Sequence, residues 1–371
     1  MSEFDLQVLL LAGRFEVRGS CAYTLRLAEG LEKGHIAARI VTPDARLVDS
    51  RVRRRVKIEE VRRLGTPVWG ELAGRFLLHE VRDEPPHVIH IQTIRALRYG
   101  SRLARRLGRP YVLTVHRHLD AGTRPTIDPH DCRKVIAVSD SVRDDLVRRF
   151  DWPAEMVTVI PSGVDTGLPD DVRLPLEPGR VPVIGTAGPL EAVKGLPWFL
   201  GAARQVLEVR SEVEFLIAGA GPEEANLRRV ARELEIAEKV TFVPYLLSFT
   251  ESLSATDIFV LPSLQQGLGT IMLEAMALGR PVIATSVGGV SSVIHHGETG
   301  LIVPPQNSGE LARRILELLD QPALARSLGT RARELVVERY NVETMVQKTA
   351  EVYRAVAAAV PLPEPAERRI D

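Results

Sequence analysis

The chain has 371 residues, 45% of them hydrophobic, with 48 basic and 48 acidic side chains. Above about 250 to 300 residues a single core stops growing, so two domains are expected. Two cysteines, Cys21 and Cys132, are too few and too far apart for a disulfide framework or a zinc site, no apolar run approaches the roughly 18 residues of a membrane span, and the acidic start MSEFDLQVLLLAG does not read as a signal peptide. A cytoplasmic protein is expected, at most peripheral at the inner membrane.

Short apolar runs alternate with helical patterns. In the first half LQVLLLAG is followed by a helix from Tyr23 to Lys33, VIHIQ by one from Arg95 to Leu107, then YVLTVH, then KVIAVS with a helix from Ser141 to Phe150, then VTVIP. That alternation predicts a parallel sheet with crossover helices, and the continuous apolar strands predict a sheet covered on both faces. Gly163 to Arg180 (GVDTGLPDDVRLPLEPGR) reads as a linker. A second α/β pattern follows: VPVIGTAG, a helix from Pro197 to Val209, VEFLIAGAG, a helix from Glu223 to Leu234, VTFVPYL and DIFVLPS. The fold class is therefore α/β, with two doubly wound, Rossmann-like domains over residues 1–165 and 180–340. Loops at the carboxyl ends of their strands would face a shared cleft. The last eleven residues, PLPEPAERRID, have a disordered composition.

The neutral total hides an asymmetry: residues 1–165 hold 28 basic and 22 acidic side chains, the remainder 20 and 26. The basic excess is densest in Arg51–Arg63 (RVRRRVKIEEVRR), which is either a solvated face or a contact for anionic lipid or a polyanionic acceptor. Nucleic acid is excluded as a partner, because no aromatic residues interleave the arginines and no binding motif accompanies them.

Several loops carry chemistry. After the first strand, Gly13 to Ser20 (GRFEVRGS) precedes a helix, an arrangement in which Gly19 and Ser20 either cradle a diphosphate on backbone N–H groups or form an ordinary tight turn. His116 ends the strand YVLTVH, where the cleft should lie, and is either a cleft group or a satisfied core residue; His90 and His118 are read as structural. Lys194-Gly195 precedes a helix with Pro197 in its first turn, and an ammonium there is suited to neutralising a leaving diphosphate. Gly219-Ala220-Gly221 lacks the third glycine of a dinucleotide fingerprint, and neither a P-loop nor an Asp-x-Asp metal pair is present, so no metal or other cofactor is expected.

The segment from Gln266 to Pro305 is the most informative. Gln266, Gly267, Leu268 and Gly269 approach a short helix from Thr270 to Leu278, with Thr270 as the expected N-cap, and Gly279 and Pro281 stop it before the strand PVIATS. The helix is apolar on nearly every side except at Glu274. Its N-terminus is suited to an anion and Glu274 to paired hydroxyls, so phosphate and ribose are the candidates; the alternative is that Glu274 caps a loop or pairs with an arginine.

This segment resembles the signature of the family 4 glycosyltransferases of GT-B fold: two acidic positions separated by seven residues (Gln266 and Glu274), paired glycines (Gly288-Gly289) and the stretch Gly297-Glu298-Thr299-Gly300-Leu301-Ile302-Val303-Pro304-Pro305. The resemblance covers almost the whole chain. It implies a metal-independent, retaining transfer of a sugar from a nucleoside diphosphate to a glycan, lipid-linked or small-molecule acceptor. By the same resemblance His116 and Gln266 touch the donor sugar, and Gly19, Ser20, Lys194, Gly267, Leu268, Gly269, Thr270 and Glu274 bind the donor. A final helix, over 342–360, is implied to pack back on the first domain. Three departures stand out: Pro189 where an arginine is usual, Gln266 for the first glutamate, and Ser292 where a glutamate commonly follows the paired glycines. Together they remove one positive and two negative charges from one site, which motivates two rival readings. One is a degenerate transferase serving as a nucleotide- or glycan-binding scaffold. The other is a nucleotide-sugar epimerase on the same fold.

Overall fold

The computed structural model describes residues 5–15, 19–48, 50–66, 69–120, 122–123, 125–167, 173–244 and 249–359. Glu16, Val17 and Arg18 of the first glycine loop, 168–172 of the linker and the tail from 360 onward lie outside the described residues.

The first sheet is built from β1 (Leu6–Leu11), β2 (Ile36–Thr42), β3 (Lys57–Glu60), β4 (Val88–Ile91), β5 (Tyr111–Val115), β6 (Cys132–Ala137) and β7 (Val157–Val159). Its helices are α1 (Gly19–Lys33), α2 (Ser50–Arg55), α3 (Gly70–Arg82), α4 (Ile94–Leu107) and α5 (Asp140–Phe150). The strands are all parallel, in the order β3-β2-β1-β4-β5-β6-β7. β4 and β5 are buried at every position, as strands covered on both faces must be. At the edge, β3 reads Lys-Ile-Glu-Glu and exposes Lys57, a charged edge that resists pairing with another chain.

The second sheet holds β8 (Val183–Ala187), β9 (Glu214–Ala218), β10 (Val240–Val243), β11 (Ile258–Leu261), β12 (Val282–Thr285) and β13 (Leu301–Val303), again all parallel, in the order β10-β9-β8-β11-β12-β13. Around it lie α6 (Leu196–Val209), α7 (Glu224–Glu233), α8 (Thr250–Ser254), α9 (Thr270–Ala277), α10 (Ser308–Asp320) and α11 (Pro322–Arg339). Both sheets reverse their strand order once, between β1 and β4 and between β8 and β11. Such reversal points open a crevice at the carboxyl ends of the strands. The fold is thus two Rossmann-like α/β units of the GT-B kind.

The last helix, α12 (Val342–Ala358), returns to the first sheet: Met345, Tyr353 and Val356 are buried in one cluster with Tyr23, Leu27 and Leu31 of α1. Beneath them His90 is fully buried, bonded through Nδ1 to the Tyr353 hydroxyl and through Nε2 to Thr114 Oγ1 at 2.7 Å. Burial pushes the His90 ring down to about 3, so it stays neutral. The two chain crossings between the units lie side by side, with Val164 N–H donating to the Tyr340 carbonyl at 2.8 Å. Gly163 is required there, since a Cβ would collide with the Asn341 carbonyl.

Candidate active site

Between the two sheets lies a cleft of about 810 Å³. Gly19, Ser20 and His116 line it from the first unit, and Lys194, Gln266, Gly267, Leu268, Gly269, Thr270 and Glu274 line it from the second. Residues spread over 256 positions of the sequence therefore face one space. Among the described residues, no group of three or more His, Cys, Asp or Glu is placed to hold a metal ion.

The wall at the second unit follows from local backbone chemistry. Gly269 adopts φ +96°, a left-handed conformation that glycine tolerates, and is itself the N-cap of α9, so Thr270 is the first helical residue rather than the cap. As a glycine, this N-cap has no side chain to bond the helix end, which leaves the first backbone N–H groups available to an anion in the cleft. The N-terminus of α1 approaches from the other side: a Cβ on Gly19 would come within 2.9 Å of Thr270 Oγ1. Two helix N-termini, each with positive partial charge, thus meet across the cleft, a setting that favours an anion between them.

Lys194 ends a short 3-10 turn, Ala192–Lys194, closed by Gly195 at φ +63°, where a Cβ would strike the Pro262 carbonyl. Its Nζ donates to Gln266 Oε1 at 2.8 Å. A glutamate at 266 would oppose the ammonium with a full negative charge. Glutamine accepts the same bond without neutralising it. Pro189 also lines the cleft, beside Gly188 at φ +136°. Ser292 does not belong with these two: it is exposed, bonds its hydroxyl to the Gly289 carbonyl at 2.7 Å, and is not part of the cleft wall. The expectation that all three departures alter one site is corrected to two.

The glycines at 267, 288 and 289 let the units approach. A Cβ on Gly267 would collide with the His116 carbonyl, and one on Gly288 with the Gln266 carbonyl. The Gly267 carbonyl accepts from Gly289 N–H at 2.8 Å and from Ser139 Oγ at 3.0 Å. Ser139 also caps α5 by accepting from Val142 N–H at 3.3 Å. One hydroxyl thus serves a cap and an interdomain bond, a role that sequence reasoning missed.

His116 follows the end of β5, its ring edge-on to Tyr23 with centroids 4.8 Å apart. Burial lowers its ring to about 4, only partly opposed by a hydrogen bond to the Gln92 backbone, so the imidazole is neutral near pH 7. Its Nε2 is buried without a hydrogen-bond partner among the described residues, and a buried ring nitrogen of this kind is suited to pairing with a hydroxyl. His118 bonds Ser141 Oγ at 3.0 Å and sits 3.6 Å from Asp145, in keeping with its structural reading, although it borders the cleft.

Glu274 does pair with an arginine: Arg26 of α1 donates from Nη2 to Oε1 at 2.8 Å, and from Nε to Asp165 at 3.2 Å. Sequence reasoning did not single out Arg26. It lies two helical turns below Gly19 on the same face, a spacing visible in the chain, but nothing local signals a partner 248 positions away.

Two family models match. Residues 17–168 fit the description "Glycosyltransferase Family 4" and residues 181–321 "Glycosyl transferases group 1". The chain is 28% identical over 284 residues to alpha-D-kanosaminyltransferase of Streptomyces kanamyceticus, covering 70% of this chain and 74% of that one. It is 29% identical over 326 residues to alpha-maltose-1-phosphate synthase of Mycolicibacterium smegmatis, covering 79% and 77%. In fold it is similar to Anabaena HepE, solved in complex with UDP and glucose, at a TM-score of 0.78 and 19% identity, covering 94% of this chain and 100% of that one. With both halves matched in their expected order, this chain belongs to the family 4, group 1 glycosyltransferases, on the two-unit GT-B fold.

Proposed function

We propose that the cleft transfers a sugar from a nucleoside diphosphate to an acceptor hydroxyl, with retention of configuration and without a metal. The observation that carries this reading is the convergence of Lys194, the uncapped N-terminus of α9 and the Glu274 carboxylate on one wall, opposite the N-terminus of α1. Lys194 and the helix N-termini supply the positive charge that a departing diphosphate requires. Glu274 accepts from the ribose hydroxyls, and Gln266 with Gly267 to Thr270 surrounds the sugar. The binding of UDP and glucose by HepE is in keeping with a uridine or similar diphosphate donor.

We infer a route without a carboxylate nucleophile, because Glu274, the carboxylate of the donor wall, is engaged by Arg26. The reaction we infer is a front-face substitution. The bond between the anomeric carbon and the diphosphate oxygen breaks while the acceptor oxygen bonds to that carbon on the same face. The acceptor proton passes to the departing phosphate oxygen. His116 Nε2 contacts a sugar hydroxyl and orients the donor, so positioning and electrostatics supply the rate.

A second inference concerns Arg51–Arg63. Arg63 lies over the Trp69 ring at 4.9 Å, and Trp69, Leu72 and Phe76 are 52%, 61% and 57% exposed at helical spacing. An apolar strip beside arginines suits the inner surface of an anionic membrane and a lipid-linked acceptor. Among the described residues no helix is long and apolar enough to cross a membrane. Cosedimentation with anionic but not neutral vesicles is expected, and equal behaviour with both would remove this inference.

The main reading is tested by release of nucleoside diphosphate from a panel of sugar donors, with and without chelator. Acceptor-dependent release that survives chelation supports it, and release abolished by chelation contradicts metal independence. Tight donor binding with no turnover against any acceptor would favour the scaffold, and a changed sugar formed without acceptor would favour the epimerase.

A further inference from the structure

The pairing of Arg26 is a three-way junction. Its guanidinium belongs to the first unit, Glu274 to the donor wall of the second, and Asp165 to the crossing between them, next to Val164, which bonds to Tyr340. The Arg26 and Glu274 side chains are 17% and 19% exposed, whereas Asp165 is 76% exposed. Arg26 Nη1 is buried without a hydrogen-bond partner among the described residues.

The layering is specific. Gly19 meets Thr270 at the mouth of the two helices, and Arg26 meets Glu274 in the layer beneath, seven residues along one helix and four along the other. A planar guanidinium fixes both the position and the plane of the carboxylate it pairs with, which a flexible ammonium does not. Glu274 Oε1 takes the bond from Nη2, and Oε2 has no hydrogen-bond partner among the described residues. One guanidinium beside two carboxylates leaves a net negative charge, suited to accepting from hydroxyls. Any opening about the crossings at 163–165 and 340–341 would draw α1 from α9 and release Glu274 from its setting.

We propose that Arg26 is a positioning residue for the donor: it sets the Glu274 carboxylate to accept the ribose hydroxyls and, through Asp165, ties that setting to the closed arrangement of the two units. The proposal rests on the reading of Glu274 given above, and a double-mutant cycle separates the two. Binding of UDP, ADP and GDP to the full chain is measured by calorimetry, and the tightest is carried through Arg26→Met, Glu274→Gln and the double variant.

Both single changes weaken binding about tenfold, and the double variant stays within about twofold of Glu274→Gln alone, because Arg26 acts through Glu274. Arg26→Lys recovers less than half of the loss on a logarithmic scale. In turnover, the Arg26→Met loss falls on the donor KM, with kcat changed less than about threefold. Should Arg26→Met fail to fold, Arg26→Lys and Asp165→Asn carry the test, each expected to weaken binding a few-fold. Unchanged binding in the Arg26 variants with weakened binding in Glu274→Gln overturns the positioning role alone. Additive losses also overturn it, since Arg26 would then act independently. Unchanged binding in Glu274→Gln overturns the ribose reading itself.

Discussion

Gly267→Ala adds a single methyl group to the cleft and should disable it. Gly267 has no positive φ, so alanine is not excluded by the local backbone. The obstacle is the other unit: the new Cβ would lie well inside van der Waals contact of the His116 carbonyl oxygen, 3.0 Å from its carbon and 3.1 Å from Arg117 Cα. All three are backbone atoms and none can rotate away. Relief requires the loop at 266–269 to withdraw by about 1 Å, given carbon contacts near 3.5 Å. That motion stretches the bonds from Ser139 and Gly289 to the Gly267 carbonyl and shifts Gln266 and α9 together. Overpacking of this kind costs about 1–3 kcal/mol in stability. A 1 Å displacement of reacting groups costs on the order of a hundredfold in rate. The assay is steady-state turnover with thermal unfolding alongside, and Gly74→Ala, where a Cβ would meet nothing within 4 Å, is the control. A kcat/KM within twofold of wild type and an unshifted unfolding temperature would show that the units need not approach at this point.

Two further outcomes are expected. Lys194→Met removes the ammonium proposed to face the diphosphate and should lower kcat/KM by about a hundredfold, as loss of one oxyanion donor does; stability should change by about 1 kcal/mol for the lost bond to Gln266, and a loss in kcat/KM below threefold would contradict the role. Stability should also fall as pH drops from about 6.5, the ordinary histidine value, because His90 and His116 resist protonation in the fold down to about 3 and about 4. The unfolded chain binds those protons first, so the penalty is absent above that range and grows through it. Unfolding temperatures measured from pH 7 to pH 4 should decline less steeply in His90→Gln and His116→Gln. Parallel slopes in all three proteins would refute the assignment.

The alternation of the two sheets was readable because their central strands are buried on both faces and therefore carry unbroken apolar runs; β11 and β12 are examples, buried at every position. The elements that escaped are those whose composition is set by the surface. β3 reads Lys-Ile-Glu-Glu at a sheet edge, and α2 is Ser-Arg-Val-Arg-Arg-Arg, so neither carries an apolar period. Within the site, Glu274 stood out because its own helix is apolar around it. Arg26 did not, because its significance depends on a residue in another unit. The N-cap of α9 was misplaced by one residue, since Thr270 has the chemistry of a cap while Gly269 has the required φ. Ser292 was grouped with the cleft through its place in a motif, but the turn of residues 288–292 directs it outward.

We propose that the cleft holds a nucleoside diphosphate between the Lys194 ammonium and the Glu274 carboxylate. A crystal structure of the chain grown with the nucleoside diphosphate that binds most tightly tests it most directly. Phosphate oxygens are expected within hydrogen-bond reach of Lys194 Nζ and the first N–H groups of α9, with the ribose hydroxyls on Glu274. A nucleotide seated elsewhere on the chain, or turned so that its ribose faces Lys194, would contradict it.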